Sequence, residues 1–136
     1  MQTKLVTLSG IQFNEPAKEV HLRTALGSMV VLPGHEPISA ITEPGPVKIV
    51  NDNGEETIFA SYGGLLEVTN NTVRILLDEV DHEADLIESE VQEALAAAQA
   101  LKAKAKDQKE LDEAQKLIDR QAVRLEVARI RRRPRN

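Results

Sequence analysis

The chain has 136 residues, a formal net charge of −5, no cysteine, and an aromatic set of one Tyr, two Phe and no Trp. Without cysteine there is no disulfide framework, thiolate nucleophile or thiolate metal site, and so few rings leave little material for base stacking or sugar clamping. No apolar run approaches the roughly 20 residues of a membrane-spanning helix, and the first residues carry neither a secretory nor a transit pattern, so a soluble chain with at most peripheral membrane contact is expected.

Residues 1–79 read as short β-rich runs punctuated by turn residues, the pattern of an antiparallel sandwich or barrel. Strands are predicted at Thr3–Leu8, Glu19–Thr24, Met29–Leu32, Val47–Val50, Thr57–Tyr62, Leu65–Thr69 and Thr72–Leu77. Asn51-Asp52-Asn53-Gly54 and Thr69-Asn70-Asn71-Thr72 supply residues that tolerate positive φ, so each predicts a tight hairpin. Alternation places Val47 and Ile49 on one face with Lys48 on the other, and Val73, Ile75 and Leu77 opposite Arg74. Pro33, Pro37, Pro44 and Pro46 crowd residues 33–46, and proline cannot donate to a ladder, so loop or edge is expected there.

From Asp81 the period changes. Ile87, Val91, Ala94, Ala98, Leu101 and Ala105 follow heptad spacing, the seam of a helix packed lengthwise on another. Lys106-Asp107-Gln108-Lys109 breaks the pattern, and Leu111, Ala114, Ile118, Ala122 and Leu125 mark a second amphipathic helix. The two predict an antiparallel hairpin with helices of about 22 residues, roughly 33 Å each. Asp81, Glu83, Asp85, Glu88, Glu90 and Glu93 crowd its start and Arg129, Arg131, Arg132, Arg133 and Arg135 its end, matching the helix macrodipole. Antiparallel packing brings these opposite charges together, each exposed pair contributing about 0.2–1 kcal/mol. The fold class is therefore α+β in two parts, a sandwich over 1–80 and a helical hairpin over 81–136.

His21, His35 and His82 fall in different elements and in no metal-binding spacing. Ser61 lacks the GxSxG elbow, and Gly63-Gly64 reads as a turn or bulge. Neither GxxxxGK[ST] nor GxGxxG is present, so catalysis by this chain and a standard phosphate cradle are not expected. The arginine run 129–135 suits a frayed helix end or an acidic protein surface better than nucleic acid, which an acidic chain without stacking rings does not favour. On these residues alone, a free-standing adaptor whose basic hairpin binds an acidic partner stays open.

Two segments carry a resemblance. Gly27-Ser28-Met29-Val30-Val31-Leu32-Pro33-Gly34-His35 resembles the G-x-L-G-I-L-P-G-H stretch of the epsilon subunits of rotary F-type ATP synthases, and residues 58–77 resemble their G-G-F-L-E-V-x-x-N-x-V-x-I-L pattern. The order of sandwich and alanine-rich hairpin matches as well. The resemblance implies a non-catalytic rotor subunit at the cytoplasmic face of a bacterial plasma membrane, peripheral through the c-ring. Its sandwich would dock on the gamma subunit and the c-ring, and its tail would impede ATP hydrolysis by the alpha and beta subunits.

Carried over by position, the resemblance puts the c-ring contact at Leu26, Gly27, Ser28 and Met29, with Ser9 and His35 towards gamma. Ser28 replaces an acidic residue common in the family and Val30 replaces its second glycine. Arg120, Arg124, Arg129, Arg131, Arg132 and Arg133 resemble the cationic tail that meets beta. Some members bind ATP on the hairpin through I/L-D-x-x-R-A. Here Ile87-Glu88-Ser89-Glu90-Val91-Gln92 keeps an acid at Glu88 and, with Arg120 and Arg124, part of the set, but puts Val91 in place of the phosphate-pairing arginine. Losing that cation beside a triphosphate, in a region crowded with acids, costs more than about 1.5–3 kcal/mol, so weak or absent ATP binding, and no cofactor, is expected.

Overall fold

A computed structural model describes the backbone over residues 1–132 and the side chains over 1–130. Its first unit, Met1–His82, is built of β1 (Gln2–Thr7), β2 (Gly10–Thr24), β3 (Gly27–Val31), β4 (Ile38–Thr42), β5 (Gly45–Asn51), β6 (Glu56–Ser61), β7 (Gly64–Thr69), β8 (Thr72–Leu77) and β9 (Val80–His82). The strands join in the order β1-β8-β7-β4-β2-β5-β6-β9, with β3 on β2 and β1 also paired to β2.

β2 makes this order possible. Its first half pairs antiparallel with β1, Gln2 opposite Pro16 and Thr7 opposite Gly10, and its second half pairs with β3 and β5. The register slips between Ala17 and Glu19, where the strand passes from one layer to the other. Between the layers lie the fully buried Leu5, Val20, Ile49, Phe59, Leu66 and Ile75. The expected alternation is borne out: Val47, Ile49, Val73, Ile75 and Leu77 are buried, Arg74 is exposed and Lys48 is half-buried.

Three strands depart from the sequence-based expectation. Residues 10–18 extend β2, although only Phe13 and Ala17 of that stretch are buried and its polar Gln12, Asn14 and Glu15 hide any alternation. Within the proline-rich region β4 forms over Ile38–Thr42, because Pro37 and Pro44 bracket it and leave its amides free to pair with β7. Pro46 is tolerated in β5 because the ladder to β2 begins only at Lys48. The third is β9, where Asp81 and His82 pair with Ala60 and Phe59 instead of opening a helix.

Two hairpins share one construction. At Thr7-Leu8-Ser9-Gly10 and at Thr24-Ala25-Leu26-Gly27 a buried threonine hydroxyl accepts the amide two residues on, from Ser9 at 3.2 Å and Leu26 at 3.1 Å. Each turn closes on a glycine with positive φ, +117° at Gly10 and +112° at Gly27, the conformation that glycine adopts without steric cost.

The second unit, from Glu83 on, has a 3₁₀ turn (Glu83–Asp85), α1 (Glu88–Ala103) and α2 (Gln108–Arg132). At 16 residues α1 is shorter than expected, because the acids before Glu88 sit in β9 and the turn. Asp107 starts α2: its carboxylate accepts the Glu110 amide at 2.8 Å, and Glu110 in turn accepts the Lys106 amide at 2.8 Å, satisfying two of the donors a helix start leaves over. The predicted seam holds at Val91, Ala98 and Ala114, which are buried, but Ile87, Leu101 and Ala122 are exposed, while Gln121, Val123, Val127 and Ala128 are buried. No helix among the described residues is long and apolar enough to cross a membrane.

Candidate functional site

Strand register assembles a surface that single strands do not reveal. Val6 lies opposite Ile11 on β2 and Leu76 on β8, Leu76 opposite Leu65 on β7, and Leu65 opposite Ile41 on β4. The chain neighbours Leu5, Ala40, Thr42, Leu66, Ile75 and Leu77 are buried, so Val6, Leu76, Leu65 and Ile41 face outward, and Ile11 joins them past the register slip of the β1–β2 pair. Ile11 and Ile41 are exposed and the three between are half-buried. Beside it runs the polar row Asn14, Lys4, Arg74, Glu67 and Ser39, with Arg74 and Glu67 3.6 Å apart. The outer face of this layer is thus apolar along one side and charged along the other.

Ser9 and His35 lie at opposite ends of that layer. Ser9 is exposed in the turn after β1, where the Leu8 amide donates to Asp78 just beyond β8. His35 follows Gly34, whose amide donates to the Asn71 side chain in the β7–β8 turn, and its Nδ1 donates to the Glu36 carbonyl at 2.7 Å. Leu26, Gly27, Ser28 and Met29 form the β2–β3 turn and the start of β3. Leu26 is 74% exposed, and the preceding Ala25 amide donates to the Ile41 carbonyl at 2.8 Å. The turn therefore adjoins the end of the apolar row.

In the hairpin, the expected meeting of charges at the ends of the two helices is present: Arg129 Nε stands 3.3 Å from Glu88 Oε1. Near the other end Lys102 donates to Gln115 at 2.7 Å. Arg120 and Arg124 are half-buried on α2, with Arg120 Nε and Nη2 shielded from solvent. Val91, in the place where the resemblance calls for an arginine, is buried. Arg131 and Arg132 end α2 and lie outside the residues with described side chains, and Arg133 lies outside the described residues altogether. Among the described residues no three His, Asp or Glu converge as a metal site would require.

Sequence reasoning missed the apolar row, although a trace of it was legible. Strands with one wet face alternate, yet Leu5-Val6, Ala40-Ile41, Leu65-Leu66 and Ile75-Leu76-Leu77 are consecutive apolar residues, which means both faces are apolar. What could not be read was that these extra residues line up, since that depends on four separate registers.

The first unit is thus a sandwich with an apolar row on its outer face, and the second a helical hairpin. Residues 1–83 match the family model for the ATP synthase, Delta/Epsilon chain, beta-sandwich domain. The chain belongs to the ATP synthase delta/epsilon chain family. Its fold is also similar to a chain in the Euglena gracilis mitochondrial ATP synthase structure of OSCP, F1 and c-ring, with a TM-score of 0.83, 23% identity, and coverage of 94% of this chain and 80% of that one. A chain in the central stalk and c-ring structure of the Tetrahymena thermophila mitochondrial ATP synthase gives a TM-score of 0.62 at 18% identity, covering 94% of this chain and 96% of that one.

Proposed function

We propose that this chain is a non-catalytic rotor subunit in the central stalk of an F-type ATP synthase. Its sandwich docks on gamma through the apolar row and on the c-ring through Leu26 to Met29, and the unit from Glu83 on impedes ATP hydrolysis by the alpha and beta subunits. The observation that carries the docking reading is the row Ile11, Val6, Leu76, Leu65 and Ile41. Ser9 and His35, the residues assigned to gamma by resemblance, bracket the same layer. An outward row of this kind on a small sandwich calls for a partner surface.

The inhibitory role draws support from the weak closure of the hairpin. The side chains it buries are mostly small, Val91, Ala98, Ala114, Val123, Val127 and Ala128, and the Glu88–Arg129 pair across its ends is partly exposed, so each contact opposes rearrangement only modestly. Joined end to end, α1 and α2 would span roughly 60 Å at 1.5 Å per residue, the scale of reach such a role needs. Truncation after His82, which preserves β9, is expected to raise ATP hydrolysis by the assembled complex; an unchanged rate counts against inhibition. Crosslinkers placed along 26–35 are expected to label c or gamma, and labelling of neither would overturn the placement.

ATP binding by the hairpin is weak or absent in this reading, since buried Val91 offers no charge to a phosphate and Glu88 is engaged by Arg129. Calorimetry on the full chain is expected to find no micromolar site; a site of that strength would refute the statement. The location that fits is the cytoplasmic face of a bacterial plasma membrane, held peripherally by the complex, and dissociation of the complex should then release the chain from membranes.

A further inference from the structure

β9 ends the strand order and is only three residues long, held to β6 by the pairs Phe59–His82, Ala60–Asp81 and Ser61–Val80. Side-chain contacts to Asp81 and His82 are among those that reinforce it. The Tyr62 hydroxyl donates to the Asp81 carboxylate, and the His82 ring meets Phe59 edge-on, with centroids 4.9 Å apart and planes at 69°. Phe59 is 1% exposed and belongs to the core, so the anchor is fixed, while His82 itself is exposed. Val80 is the only apolar residue of β9, and it packs against the core only partly buried. The second unit begins at the next residue, Glu83.

We infer that β9 is a releasable clasp that sets the point from which the tail moves, with Tyr62 and His82 as its positioning residues. The inference rests on the reading of the unit from Glu83 on as a regulatory tail. Short edge strands with little core burial open far more readily than the sheet they join. While β9 is zipped, the chain is fixed to the sandwich as far as His82. When it peels away, the nearest backbone pairing upstream is at Asp78, whose carbonyl accepts the Leu8 amide. Residues 79–82 then become a tether that adds up to about 13 Å of reach. The clasp thus couples a local opening within the sandwich to the distance the tail can cover, with no change in the tail itself.

Hydrogen exchange on the full chain tests this, combined with ATP hydrolysis by the complex assembled with wild type, Tyr62→Phe or Asp81→Ala. Tyr62→Phe keeps the ring and removes only the donor, so the sandwich is expected to keep its melting temperature. Exchange at residues 79–82 is expected to rise by about tenfold or more in both variants while β5 and β8 are unaffected. Hydrolysis is expected to fall below wild type, and deletion of residues 83–136 to abolish that difference. Wild-type exchange at 79–82 in both variants overturns the clasp, and so does acceleration spread evenly over all strands. Faster exchange with unchanged hydrolysis overturns its regulatory role, provided that the deletion alone raises hydrolysis. If the deletion alone has no effect, the tail reading has failed, and the exchange result decides the clasp by itself.

Discussion

Two adjacent glycines separate what a residue needs for its own backbone from what its neighbours need. Gly63 has φ +114° and turns the chain between β6 and β7, which the sequence suggests through the Gly-Gly pair. Gly64 is different: a Cβ there would lie 2.1 Å from the Leu76 carbonyl oxygen and 2.9 Å from the Leu77 Cα. Those are backbone atoms of β8 that cannot give way cheaply. Gly64→Ala is therefore expected to lose about 1–3 kcal/mol in denaturant unfolding through overpacking. At Gly34 a Cβ would meet open space but the backbone is at φ +84°, so Gly34→Ala is expected to cost about 1–2 kcal/mol through backbone strain alone. Asn70 and Asn71, at φ +45° and +59°, behave as their residue types predict. Gly64 could not be read in the same way, because its constraint comes from a strand eight residues further along.

At the scale of elements, the strands with strict alternation and the hairpins with Asn or Gly turns were legible, and those without were not. β4 was obscured by flanking prolines, the first half of β2 by polar residues on a largely exposed face, and β9 by acids that resemble a helix start. The start of α2 shows in the apolar pattern only as a break, although Asp107-Gln108-Lys109-Glu110 is a capping sequence. Asp107→Ala is expected to lower the stability of the hairpin by about 1 kcal/mol, visible as faster amide exchange in the first turn of α2 with no change in β8. The Glu88–Arg129 pair was legible from charge placement and hairpin topology. With Arg129 53% exposed, a double-mutant cycle of Glu88→Gln and Arg129→Gln should give a coupling below about 1 kcal/mol that shrinks at high salt. A larger, salt-independent coupling would show a hairpin held shut more firmly than a mobile tail allows.

For the whole molecule, composition and period were enough for a sandwich followed by a hairpin, and two motif stretches were enough for the family. The apolar outer row was out of reach, because it exists only once β1, β2, β4, β7 and β8 are in register. Sequence assigned Ser9 and His35 to gamma by resemblance as separate positions; the fold makes them the two ends of one layer with an apolar row between them. That juxtaposition turns two points into a surface, and it also ties the Leu26 turn to the row through the Ala25–Ile41 hydrogen bond.

The most direct measurement is binding of the full chain to gamma, comparing wild type with Ile41→Glu and Leu65→Glu, with Leu101→Glu on the hairpin as control. Ile41 is 65% and Leu101 55% exposed, so both changes should leave folding intact, and circular dichroism checks this for Leu65→Glu. The expected result is a loss of at least about tenfold in affinity for the two row variants, since a buried unpaired charge costs well over 1.4 kcal/mol, with the control unchanged. Wild-type affinity in folded Ile41→Glu and Leu65→Glu would contradict the account.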